Sequence, residues 1–183
     1  MNRTRLASGL ALALTLASCR IERAPAGRPG GGFAPEPDSV ATAEVYAVLR
    51  GYYGALTSRD WRLMATHFWP RATLTSVVPE EGDTAGVLRT LTIEEFVAGA
   101  GRVRAEVFAA EIANASIVTY GDLADAWVTC RARVGAAAES VVTRHGIDAV
   151  HLLRREGRWR IVSLASQGEA PGRPLAPAAP VRR

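Results

Sequence analysis

The chain is expected to fold as an α+β domain, with its helices early and a largely antiparallel sheet late. Three observations predict this. Apolar residues recur at helical spacing from Asp38 to Phe68 and again in the stretch that Thr92 opens. Beyond Val107 the pattern changes to strand-like alternation. Near the end, two apolar-rich runs flank the charged connector Arg155-Glu156-Gly157-Arg158, whose glycine suits a tight hairpin turn.

That hairpin, Gly146 to Gln167, reads GIDAVHLLRREGRWRIVSLASQ. Strict alternation puts Ile147, Ala149, His151 and Leu153 on one face of its first strand, and Asp148, Val150, Leu152 and Arg154 on the other. On its second strand, Trp159, Ile161, Ser163 and Ala165 oppose Arg160, Val162, Leu164 and Ser166. Apolar residues on both faces predict a sheet covered on both sides over part of its length. Asp148 is an acid inside an otherwise apolar strand, which makes it a candidate site residue.

The earlier elements follow in order. Asp38 or Ser39 can cap a first helix carrying Val45, Val48, Leu49, Tyr52 and Leu56. Asp60 caps a short second helix with Trp61, Met64 and Phe68, which Pro70 is expected to stop. Ala72 to Val78 reads as a strand, Pro79 to Gly86 as a polar loop, and Thr92-Ile93-Glu94-Glu95 as a capping box opening a third helix. Strands from Val107 to Thr119 and Ala124 to Val134 are joined by a turn near Gly121-Asp122. The order is α-α-β-β-α-β-β-β-β.

At 183 residues the chain has room for one domain with tails. All 22 basic residues are arginine, scattered without a run longer than a pair, so the net charge of +4 lacks the clustered stripe of a nucleic-acid binder. No His, Cys and acid cluster shows metal-ligand spacing, and no cofactor is implied. Cys130 falls on the small apolar face of Ala124, Ala126 and Val128, where a buried structural thiol is expected.

Arg3 and Arg5 precede an apolar segment, Leu6 to Leu16, too short to span a bilayer. It ends in Leu16-Ala17-Ser18-Cys19, which resembles the bacterial lipobox. The resemblance implies a signal peptide over 1–18, lipidation of Cys19 and a membrane anchor in the cell envelope. Arg20 follows the cysteine, and the lipoprotein sorting pattern that this resembles points to the outer membrane if the cell has one. Residues 19–37, rich in Gly, Pro, Ala and Arg, are expected to be a disordered tether, and 168–183 a disordered tail. The folded domain is expected over 38–167.

The stretch VLRGYYGALTSRDWRLMATHFWPRATL together with the terminal hairpin resembles the nuclear transport factor 2-like superfamily, and the element order agrees. The resemblance covers about Ser39 to Gln167. It implies a cone, in which a curved sheet wraps around the N-terminal helices and encloses a pocket, with the Asp148, Val150, Leu152 face inward. Dimers through the outer sheet face are common in look-alikes, so a homodimer is a possible partner state. The superfamily holds enzymes and binding domains alike, so fold does not choose between them.

Within it, ketosteroid isomerases set a helix tyrosine and a protonated aspartate beside a carboxylate base. The tyrosine resembles Tyr52 and the aspartate Asp148, while Ser76 stands where the base belongs. Serine unaided does not accept an α-proton at neutral pH, so the isomerase step is not supported. Tyr52, Phe68, Trp69, Ser76, Trp127, Asp148 and Val150 are the candidate pocket residues. For each tryptophan core packing is the alternative, and for Tyr52 a satisfied hydroxyl in the core. His67, at the end of the second helix, is a candidate acid or base, or simply a favourable charge at the helix end. His151 faces away from Asp148 by alternation.

Three functions fit this pattern. One is an anchored module binding a small apolar or amphipathic ligand without turnover. Another is a SnoaL-like cyclase, isomerase or dehydratase using Asp148, Tyr52 or His67. The third is a structural or interaction module working through the open face of the sheet.

Overall fold

The structure, a computed structural model, describes residues 38–80, 83–100, 107–135 and 140–169. All of them belong to the compact unit Pro35–Arg183. The signal-peptide and tether expectations, and residues 170–183 of the expected 168–183 tail, lie outside the described residues. Gly168 instead closes the last strand, and the Glu169 N–H donates to the His145 carbonyl at 2.9 Å.

Helix α1 (Ser39–Ser58) is capped by Asp38, whose carboxylate accepts the backbone N–H groups of Val40 and Ala41 at 3.0 Å each. Its C-terminus is closed by Arg59 in the left-handed conformation. Helix α2 (Trp61–Thr66) starts at the Asp60 cap, which takes the Leu63 N–H at 2.9 Å. Asp38→Ala should lower unfolding free energy by about 1 kcal/mol. A urea titration checks this, and the slope with denaturant should stay unchanged.

Six strands form one sheet: β1 (Phe68–Glu80), β2 (Asp83–Thr92), β3 (Val107–Tyr120), β4 (Leu123–Gly135), β5 (Val142–Arg155) and β6 (Arg158–Gly168). Between β2 and β3 lies helix α3 (Ile93–Ala100). The strand order is β2-β1-β6-β5-β4-β3, antiparallel throughout except for the β1–β6 pair, which is parallel. The sheet is curved, mixed and unclosed, and the α-α-β-β-α-β-β-β-β order predicted from the sequence is the one observed.

Local chemistry sets the junctions. The Thr92–Glu95 capping box is reciprocal: Glu95 accepts the Thr92 N–H at 2.8 Å, and Thr92 Oγ1 accepts the Glu95 N–H at 3.3 Å. The β5–β6 turn places both Glu156 (φ 53°) and Gly157 (φ 72°) in the left-handed region, as a two-residue primed turn requires. Thr57 fastens the end of α1 to β3 by exchanging two 2.9 Å hydrogen bonds with the Ala110 backbone.

The core lies between the helices and the inner sheet face. Leu49, Met64, Leu152, Ile161, Val45, Val128 and Val150 have essentially no exposed surface. Each such side chain contributes about 1.5–3 kcal/mol relative to leaving it in water.

Several sequence expectations need correction. Pro70 does not stop α2. The helix ends at Thr66 with His67 as its cap, and Pro70 lies inside β1. Residues 83–86, expected as loop, begin β2. Strict alternation also fails in β6: the pairs His151–Ser163 and Leu152–Ile161 leave Val162 as an extra residue. That bulge brings both Ile161 and Leu164 into the core, whereas alternation had set them on opposite faces. Finally, cover on both sheet faces is not seen among the described residues. The outer face leaves Trp127 63% exposed, with Leu123 and Val118 also open.

Candidate functional site

Alternation along β5 sends Gly146, Asp148, Val150 and Leu152 to the inner face, and burial follows it. Asp148 is 4% exposed. The Tyr53 hydroxyl, reaching across from α1, donates a hydrogen bond to Asp148 Oδ2. Asp148 Oδ1 is buried without a hydrogen-bond partner among the described residues.

Register places this carboxyl at the head of a polar row. Asp148 pairs with Ser166 on β6, and Ser166 pairs with Ser76 on β1. Two strand spacings separate Ser76 from Asp148, about 10 Å. Ser166 lies close enough to favour the ionised form of Asp148 without completing a bond to Oδ1. On the β4 side Asp148 pairs with Val128, and Cys130 lies beside Gly146.

Burial dominates the electrostatics. It holds the Asp148 carboxyl above the usual carboxylate range, against the opposing pull of Ser166 and Tyr53. Burial, then the nearby Asp148, raises the phenols of Tyr52 and Tyr53, so both stay protonated. Burial and then Asp148 also push the Cys130 thiol up to about 11, which makes it a poor nucleophile at neutral pH. The site is therefore a set of neutral or reluctantly charged groups, suited to donating and accepting hydrogen bonds.

The other candidates divide among different places. Tyr52 is buried one residue from the position that bonds Asp148. It packs edge-on against Tyr53 at 4.9 Å and Phe68 at 5.5 Å between ring centroids. The tyrosine that bonds Asp148 is therefore Tyr53, next to the Tyr52 that the sequence singles out. Both tyrosines face inward because the apolar stripe of α1 is broad there. Val150 is in the core, and Ser76 lies in the polar row. Phe68 and Trp69 wall a cleft of about 460 Å³ against α3 whose lining does not include Asp148.

Trp127 does not join the inner site. Its neighbour Val128 pairs with Asp148, so Trp127 points to the outer face. There it lines a groove of about 270 Å³ with Val77, Leu88, Ile147, Ala149 and Ala165. His67 packs over Gly51 on α1, at the Arg160 end of β6. His151 is on the outer face, 2.8 Å from Ser163 Oγ and 3.5 Å from Asp125 Oδ1. His145 pairs with Glu169 at 3.1 Å. The residue that sequence reasoning missed is Tyr53. Its signal was its place next to Tyr52 on a helix packed against the sheet.

A scan against models of known protein families finds no match, and a search of curated proteins finds none. Solved structures do match. A nuclear transport factor 2-like protein of unknown function from Shewanella baltica OS155 is 21% identical, with a TM-score of 0.53 over 74% of this chain and 98% of that one. A second such protein, from Pseudomonas putida KT2440, is 15% identical with a TM-score of 0.58, over 72% of this chain and 89% of its own. Hexachlorocyclohexane dehydrochlorinase LinA-type3 from Novosphingobium barchaimii LL02 is also 15% identical with a TM-score of 0.58, over 72% and 88%. Identities this low speak to architecture, and the architecture they share with this chain is the nuclear transport factor 2-like fold.

Proposed function

We propose that this nuclear transport factor 2-like domain is an envelope-anchored module that holds a small apolar or amphipathic molecule at Asp148 without turning it over. The observation that carries the reading is Asp148 Oδ1, a buried carboxyl oxygen with no partner among the described residues. A buried polar atom left unpaired costs about 1–3 kcal/mol, and a ligand oxygen or N–H removes that cost. The protonated acid donates, the ionised one accepts, and Tyr53 fixes the orientation of either. Val128, Val150 and Leu164 supply apolar surroundings, and Ser166 and Ser76 a polar edge.

Absence of turnover rests on Ser76, a hydroxyl where the resemblance calls for a base, and on the three histidines, each of which lies elsewhere. The lipobox-like Leu16-Ala17-Ser18-Cys19 supports the anchor.

Native mass spectrometry of the protein taken from its own membranes tests both parts. The expected spectrum shows a chain starting at Cys19 with added acyl mass and a bound small molecule, which Asp148→Ala loses. An empty wild-type protein sinks the ligand reading, and an unmodified Cys19 sinks the anchor.

A second reading is favoured by the exposed apolar outer face, where Trp127, Leu88 and Val77 stand open. It takes a second copy of this chain as the partner on that face. The same spectrum would then show a dimer, lost in Trp127→Glu while the small molecule stays bound.

A further inference from the structure

We propose that the cleft between α3 and the start of β1 is a second binding site, built for a small amphipathic monocarboxylate. Its apolar part would lie on Phe68, Trp69, Val97 and Ala98, and its carboxylate on Arg160. At about 460 Å³ the cleft falls within the roughly 300–1,000 Å³ of small-molecule sites.

The cleft is a consequence of an irregular strand. Between the pairs Phe68–Ile161 and Thr73–Ser163, β1 advances five residues while β6 advances two. The surplus pushes Trp69 and Pro70 out of the ladder towards α3. Arg71 takes the strain, with φ 63°, and its N–H donates to Glu94 Oε1 of α3 at 3.0 Å. Trp69 is fixed in turn, its Nε1–H donating to the Leu153 carbonyl at 3.0 Å.

Charge selects the occupant. Among the described residues two arginines stack on tryptophans. Arg154 lies 5.2 Å from the Trp159 centroid and is neutralised by Asp122 at 2.8 Å and Glu44 at 3.8 Å. Arg160 lies 4.9 Å from the Trp69 centroid, and among the described residues no carboxylate pairs with it. Stacking holds its guanidinium edge free for a carboxylate, which a planar fork meets with two parallel hydrogen bonds. Next to it, His67 is held below its ordinary range by burial and then by Arg160. Glu94, also in the lining, is engaged by Arg71, and its charge disfavours a dianion. One unpaired cation beside an apolar wall fits an anion with a greasy body, and the Glu94 charge opposes any second negative charge on it.

The test is calorimetric titration of the full-length chain with sodium octanoate, with octylammonium as the charge-reversed probe. Octanoate should bind one to one, and octylammonium should not bind. Arg160→Met should weaken octanoate at least about tenfold. Ala98→Trp, at an exposed position on the rim, should abolish binding by filling the cleft without touching the core. Bound carboxylate should also raise the His67 pKa in an NMR titration, since it offsets Arg160. The proposal is overturned if octanoate fails to bind at millimolar concentration, or if either variant binds it as the wild type does. Equal affinity for octylammonium overturns it as well.

Discussion

Asp148→Asn is expected to stabilise the ligand-free domain at neutral and mildly alkaline pH, and to flatten a pH dependence that the native protein carries. Burial raises the Asp148 pKa above its unfolded value, so between the two values the native state binds more protons than the unfolded chain. Stability from this residue is therefore complete below the unfolded pKa and is lost as pH rises through the native one. Asparagine keeps the shape and an acceptor for the Tyr53 hydroxyl but carries no charge to desolvate. The gain should be on the order of 1–3 kcal/mol once the native carboxyl is ionised, shrinking towards zero in acid.

Tyr53→Phe should do the opposite. It leaves Oδ2 as well as Oδ1 without a donor in a site only 4% exposed, at a cost on the order of 1–3 kcal/mol. The slope with pH should steepen, because the carboxylate loses a group that favours its charge. Urea unfolding across a pH series measures both variants. An asparagine variant weaker than wild type at every pH, with the native slope retained, would mean that Asp148 is ionised and well solvated in the fold. The stability cost of this buried acid is also what links it to the proposed function, since a residue kept only for packing is more stably asparagine or leucine.

Helices and strands were legible in the sequence because their signals are local. Asp38, Asp60 and Thr92 each cap a helix through a hydrogen bond to backbone two or three residues on. The Glu156-Gly157 turn likewise depends on its own backbone angles. Asp148 stood out for a related reason, since one acid among alternating apolar residues is visible without a fold. Its partner was not visible to the residue. A helix turns about 100° per residue, so Tyr52 and Tyr53 both face a sheet that curves around them, and only packing decides which hydroxyl arrives.

Bulges were the other blind spot. The extra residue at Val162 and the surplus before Thr73 leave no mark in the alternation of a single strand, because each is defined by the strand beside it. Both shape the fold, one by burying Ile161 and Leu164 together and the other by opening the Trp69 cleft. Trp127, by contrast, was assignable from sequence. The small inward row of Ala124, Ala126 and Val128 already required its neighbour to point outward.

Gly51→Ala should destabilise the domain by about 1–2 kcal/mol, although alanine in a helix interior is ordinarily favoured over glycine by about 1 kcal/mol. The reason lies across the α1–α2 contact. A Cβ on residue 51 would stand 2.4 Å from His67 Cε1 and 2.8 Å from Nε2, well inside contact distance. The imidazole has to leave the helix surface, and with it goes whatever order it gives to the Arg160 end of β6. The effect should reverse when the ring is absent: in a His67→Ala background, Gly51→Ala should stabilise by about 1 kcal/mol, because only helix propensity remains. His67 carries its own fold contact through the backbone, accepting the Ile161 N–H at 2.9 Å, so removing the ring leaves that link intact. A double-mutant cycle in urea gives the coupling directly. If Gly51→Ala costs the same with and without the imidazole, the glycine serves something other than His67, and the close packing of that ring on α1 is not what requires it.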